Sequence, residues 1–213
     1  MSAPATRSLV VVTAGLSEPS SSRLLGDRLA AAVERHLREA GLEPRLEVIE
    51  LRAHAVDLAN QMLTGFPTPS LQAALDAVLG ADGVIAVTPI FSGSYNGLFK
   101  LFFDAIDRDG FRAKPVLIAA TGGTPRHSLA IEHAVRPLFA YLRAAVVPTG
   151  VYAATEDWGR GAVATDGSLV ERIERAATEL AVAMAPQPSA APHDAFAHPV
   201  PFEDLLRRSS TEA

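Results

Sequence analysis

Five short apolar runs, spaced by longer amphipathic stretches, constrain this chain more than any other feature. They cover residues 8–13, 45–51, 83–88, 116–120 and 146–153. The first, Ser8-Leu9-Val10-Val11-Val12-Thr13, is apolar almost throughout, as a strand covered on both faces should be. The run at 45–51 alternates more weakly. Pro89 is predicted to stop the third strand.

Between these runs the spacing predicts helices. One over 23–40 puts Leu25, Leu29, Ala32, Val33 and Leu37 on a single stripe, with Gly41 as its stop. The stretch from 52 to 69 reads as a loop, after which Ser70 is the predicted N-cap of a helix reaching about residue 79. Further helices are predicted over 95–106, where Phe99, Phe102 and Phe103 lie, and over 129–142 and 169–184. Strands alternating with helices of this length imply βαβ crossovers. The expected fold class is therefore α/β: a five-stranded parallel sheet with helices on both faces. Residues 1–185 are expected to form one domain. Beyond it, Pro186, Pro188, Pro192, Pro199 and Pro201 exclude regular structure, so 186–213 is expected to be an irregular tail. Its Phe196, Phe202, Leu205 and Leu206 could dock on the chain's own body or on a partner subunit.

Composition excludes several classes. With 48% hydrophobic residues a large core can be buried. The absence of cysteine removes disulfides, thiolate metal sites and thiol nucleophiles, and fits a reducing, cytoplasmic setting. The apolar run near the N-terminus is far shorter than the roughly 20 residues that span a membrane. A formal charge of −5 without a basic face argues against a nucleic-acid partner.

In open parallel sheets, ligands bind at the carboxyl ends of the strands. Three loops leave such ends here. The first carries Ser17, Ser20, Ser21 and Ser22 ahead of a helix, where hydroxyls and free N–H groups suit a phosphate dianion. It is neither a Walker A loop nor a G-x-G-x-x-G fingerprint, so a single phosphate of a mononucleotide such as FMN fits better than a dinucleotide. The second loop carries Pro89, Ile90, Phe91, Ser92 and Gly93: a shaped turn with an apolar wall for a flat ring. The third, Thr121, Gly122 and Gly123, lets backbone N–H groups approach a ring on which negative charge accumulates during reduction. His127 is a further candidate for stabilising that charge.

Taken together, these loops resemble the NADPH-dependent FMN reductase family. Thr88-Pro89-Ile90-Phe91-Ser92-Gly93-Ser94-Tyr95-Asn96-Gly97-Leu98-Phe99-Lys100 is similar to its ring-binding segment. Ala120-Thr121-Gly122-Gly123-Thr124 is similar to its second flavin loop, and Ser17 to Ser22 stand in the place of its phosphate loop. The likeness is strongest to the subgroup that supplies luciferase-like monooxygenases. It implies a flavodoxin-like sheet, FMN on the twelve residues just named as loop candidates, hydride transfer from NADPH or NADH to flavin N5, and a homodimer or homotetramer. No side-chain acid or base is needed for that transfer, so no catalytic residue is assigned, and no metal. Two departures stand out: many family members carry an arginine in the phosphate loop, where this chain offers Glu18 and Arg23, and several carry a lysine where it has Ser92. Arg23 and Arg126 are the candidates for a nucleotide 2′-phosphate. The alternatives are an FMN-bound quinone, azo or metal-ion reductase, or a flavodoxin-like carrier without enzymatic activity.

Overall fold

β1 (Thr6–Thr13) pairs in parallel with β2 (Glu43–Glu50) on one side and with β3 (Gly83–Phe91) on the other. The computed structural model describes residues 4–159 and 167–185; the tail expected over 186–213 lies outside the described residues. A two-residue β4 (Ser94–Tyr95) folds back antiparallel on β3, and β5 (Pro115–Gly122) lies parallel on its far side. Beyond β5 come β6 (Ala145–Val146) and β7 (Val151–Ala154), both parallel to it. The parallel strands thus run β2-β1-β3-β5, then the β6 and β7 pair, which is the flavodoxin-like order.

Side chains alternate across each strand, and in β1, β3 and β5 both sets are largely buried. Leu9, Val11, Ile85, Val87, Leu117 and Ala119 face α1 (Ser21–Glu39) and α6 (Leu169–Met184). Val10, Val12, Val84, Ala86, Val116 and Ile118 face α2 (Ala55–Thr64), α3 (Pro69–Gly80), α4 (Gly97–Asp104) and α5 (Arg136–Tyr141). On α4 the rings of Phe99 and Phe103 are 4.7 Å apart, and Phe103 meets Phe139 of α5 at 4.8 Å.

The expected α/β class holds, with local differences. The sheet has seven strands rather than five, because β4 is added and the fifth position is divided. Pro148 lies in the interruption, where it has no ladder bond to donate. Pro89 does not stop β3. It pairs with Thr121, while the pairing with β1 has already ended at Val87, so the proline occupies a one-sided edge. α2 was expected to be loop; it buries only Leu58, so its apolar stripe is too thin to be read. The N-cap of α3 is Thr68, whose Oγ1 accepts from Leu71 N at 3.3 Å, with Pro69 in the first turn; Ser70 is already helical. The helix expected over 129–142 passes through a π-turn at Ile131–Val135, with Arg136 N–H bonded to Ile131 O. Pro137 follows immediately, where a straight α-helix would clash with the carbonyl of residue 133.

Candidate active site

The chain reverses its order across the sheet at β1 and β3, and a cleft of about 310 Å³ opens there at the carboxyl ends of the strands. Ten of the twelve expected site residues line it: Ser17, Ser20, Ser21, Ser22, Pro89, Ile90, Phe91, Thr121, Gly122 and Gly123. Ser92 and Gly93 do not. They form the tip of the β3–β4 hairpin, with φ of 51° and 82°, the positive values that a two-residue type I′ turn requires. Gly15 and Leu16 of the first loop also line the cleft, as do Thr155 and Trp158, which lie outside all three predicted loops.

The four serines do different work. Ser20 is the N-cap of α1, its Oγ accepting from Arg23 N at 3.2 Å. Ser22 is buried, its Oγ 2.8 Å from Thr121 Oγ1, which ties the first loop to the third. Ser17 donates to Pro19 O. The Ser21 hydroxyl has no partner among the described residues, and neither have the N–H groups of Ser21 and Ser22 at the start of the helix. Gly15 makes this cradle possible. A Cβ there would lie 1.9 Å from Ser20 Oγ and 3.3 Å from Ser22 Cβ.

Asn96 joins the first and second turns. Its Nδ2 donates to Ala14 O at 2.6 Å, its Oδ1 accepts from Phe99 N, and its own N–H donates to Thr88 Oγ1. Ile90 is largely buried, whereas Phe91 is 49% exposed on the cleft side of the hairpin and belongs to no core cluster. In the third turn, Tyr152 Oη donates to Thr124 O at 2.8 Å. Burial, and then the charge of Asp157, push the Tyr152 phenol up, so it stays a donor.

The arginines at the first loop are paired within the protein. Arg23 donates to Asp27 and to Glu50, each at 2.8 Å; Arg52 pairs with Glu18 and Glu50. The hydrogen bond that Arg23 donates to Asp27, followed by the fields of Asp27 and Glu50, raises the Arg23 pKa against the opposing cost of burial. Arg23 is thus engaged rather than waiting for a nucleotide phosphate. Arg126 and His127 are exposed in the short turn after β5 and do not line the cleft.

Trp158 and Thr155 sit on the turn that follows β7. Asp157 anchors it by accepting from Ala154 N at 2.8 Å and from Arg172 at 3.0 Å. The Arg28 guanidinium lies 5.1 Å over the Trp158 ring. No residue signal marked this turn, because a lone tryptophan after a short apolar run reads equally well as core.

Helix N-terminus, free hydroxyl and N–H groups, and an aromatic on a projecting hairpin form a donor set that fits a flat ring bearing one phosphate. The sequence matches NADPH-dependent FMN reductase over residues 8–159. The chain belongs to that family. By this membership it is an oxidoreductase and flavoprotein that works with FMN and a reduced nicotinamide nucleotide. An "FMN reductase (NADPH)" of Pseudomonas aeruginosa is 37% identical over 81% of this chain and 90% of its own length. An NADH-dependent FMN reductase, SfnE, of Pseudomonas putida is 35% identical over 79% and 88%. A solved oxidoreductase from Corynebacterium diphtheriae superposes with a TM-score of 0.80 at 42% identity, covering 86% of this chain and 99% of that one. Among the described residues no helix is long and apolar enough to cross a membrane.

Proposed function

We propose that the cleft holds FMN, with its phosphate on Ser17, Ser20, Ser21 and Ser22 and its ring between the 89–93 turn and Thr121, Gly122 and Gly123. The observation that carries this reading is the convergence of all three turns on one cleft at the switch point of the sheet. The cofactor supplies the two-electron acceptor for a hydride delivered by the nicotinamide. The chain's own part is positional. The α1 N-terminus and Ser21 offer donors to an anion, while Phe91 and Ile90 present an apolar wall. Ser92 and Gly93 shape that wall from the hairpin tip rather than touching the ring.

On this reading reduced FMN leaves for a flavin-dependent monooxygenase, in the cytoplasm, from a homodimer or homotetramer. The domain ends near residue 185, and the segment 186–213 is a separate tail. Stopped-flow bleaching of the flavin band by NADPH and by NADH, with and without excess FMN, tests this. Turnover of excess FMN supports a carrier reductase. Bleaching of one tightly held equivalent alone supports the bound-flavin alternative, and inertness to both nucleotides sinks the reading.

A further inference from the structure

We infer that the Arg28–Trp158 pair gives the cleft its preference for the phosphorylated flavin over riboflavin. The inference rests on the proposed FMN reading and concerns residues outside the three recognised turns. Trp158 lines the cleft on the far side of β5 from the β3–β4 hairpin, and Ser21, Ser22 and Thr121 line the same cleft. It is held there by the turn that Asp157 and Arg172 pin.

Its outer neighbour decides the electrostatics. Around the first loop, Arg23 and Arg52 are shared among Glu18, Asp27 and Glu50, so two cations face three carboxylates. That local excess of negative charge disfavours a dianion. Arg28, on α1 two turns beyond Ser21, makes no ion pair among the described residues; its recorded contact is the Trp158 ring at 5.1 Å. Arg28 does not itself line the cleft; it is a cation without an ion pair among the described residues, stacked on a tryptophan that does, and the indole face fixes where that charge stands. Trp158 acts twice: as a wall against the ligand, and as the seat of the charge that favours its phosphate. Arg28 is a positioning and specificity residue, not a catalytic one.

The test measures FMN and riboflavin dissociation constants by calorimetry on the full chain and on Arg28→Gln, Trp158→Ala and Trp158→Phe. Arg28→Gln, a change on an exposed helix face, should weaken FMN about 3- to 10-fold and leave riboflavin unchanged. Trp158→Ala should weaken FMN about tenfold or more, and riboflavin less. Trp158→Phe keeps a ring beneath the guanidinium and should recover most of the loss. The inference is overturned if Arg28→Gln leaves FMN affinity intact, or if both flavins weaken equally in every variant. Should Trp158→Ala fail to fold, Arg28→Gln and Trp158→Phe still decide the matter. Wild-type protein that binds neither flavin would refute the functional reading itself, whereas wild-type binding with indifferent variants refutes only the role of this pair.

Discussion

Ser22 Oγ lies 2.8 Å from Thr121 Oγ1 across 99 residues of sequence, and both side chains are buried. The first turn of α1 and the end of β5 are thereby fastened directly to each other at the floor of the cleft. Truncating one hydroxyl leaves the other without a partner in a nearly dry site. Ser22→Ala and Thr121→Val should each cost about 1–3 kcal/mol of stability. The double variant should lose less than the sum, because the second change removes an already orphaned group. Urea unfolding of the four proteins measures the coupling; strictly additive losses would mean that the two hydroxyls act independently.

The serines of the first loop should separate by phenotype. Ser20→Ala removes the N-cap acceptor for Arg23 N and should cost about 1 kcal/mol of stability. Ser21 is exposed and its hydroxyl has no protein partner, so Ser21→Ala should change stability by less than about 0.5 kcal/mol. It should nonetheless weaken FMN by about 1–2 kcal/mol, through a lost hydrogen bond to a charged acceptor. Thermal melts paired with FMN titrations distinguish the two. An Ser21→Ala variant that binds FMN as tightly as wild type would place the phosphate elsewhere.

Tyr152 predicts a pH dependence of known sign. Burial first, and Asp157 second, raise its pKa above the usual 10.0, so the folded protein favours the neutral phenol that donates to Thr124 O. The stabilisation is fully present below the unfolded pKa and is lost as pH rises through the higher folded value. Tyr152→Phe should be less stable than wild type by about 1 kcal/mol near neutrality. The gap should narrow above about pH 10, as the wild-type phenol ionises. Denaturation midpoints of both proteins across that range give the answer; a gap that widens at alkaline pH contradicts the assignment.

Because Arg23 is already bound to Asp27 and Glu50, Arg126 is left as the candidate for the nucleotide 2′-phosphate. It is exposed at the end of the third turn and makes no ion pair among the described residues. Arg126→Ala should raise KM for NADPH about 3- to 10-fold, as expected for one surface cation facing a phosphate, with kcat and KM for NADH unchanged. Equal effects on both nucleotides would rule out a 2′-phosphate contact.

The central strands were legible because Val10, Val11, Ile85, Leu117 and their neighbours are buried on both faces, and double burial leaves an unbroken apolar run. The cleft was legible for a related reason: loops at strand ends must expose hydroxyls and glycines to serve a ligand. What stayed hidden depends on tertiary partners. α2 buries one leucine, so no stripe announces it. Pro89 reads as a strand stop until β1 is seen to end before it. Trp158 joins the site only because β7 lies beside β5, a pairing no local pattern encodes. The engagement of Arg23 by Glu50 depends on the end of β2 reaching the start of α1, which spacing alone does not reveal.

Asn96 should be the most sensitive polar residue near the cleft. It is 4% exposed and joins the end of β1, the end of β3 and the start of α4 through Ala14 O, Thr88 Oγ1 and Phe99 N. Asn96→Ala removes the cap of α4 and strands the Ala14 carbonyl, so a loss of about 2–4 kcal/mol is expected. Asn96→Ser restores a cap acceptor but is too short to reach Ala14, and should recover about 1 kcal/mol of that loss. Chemical denaturation of the three proteins resolves these steps. If the serine variant matches wild type, the bond to Ala14 contributes nothing and the first two turns are held together by packing alone; if it matches alanine, the cap contributes nothing and the bridge to β1 carries the whole effect.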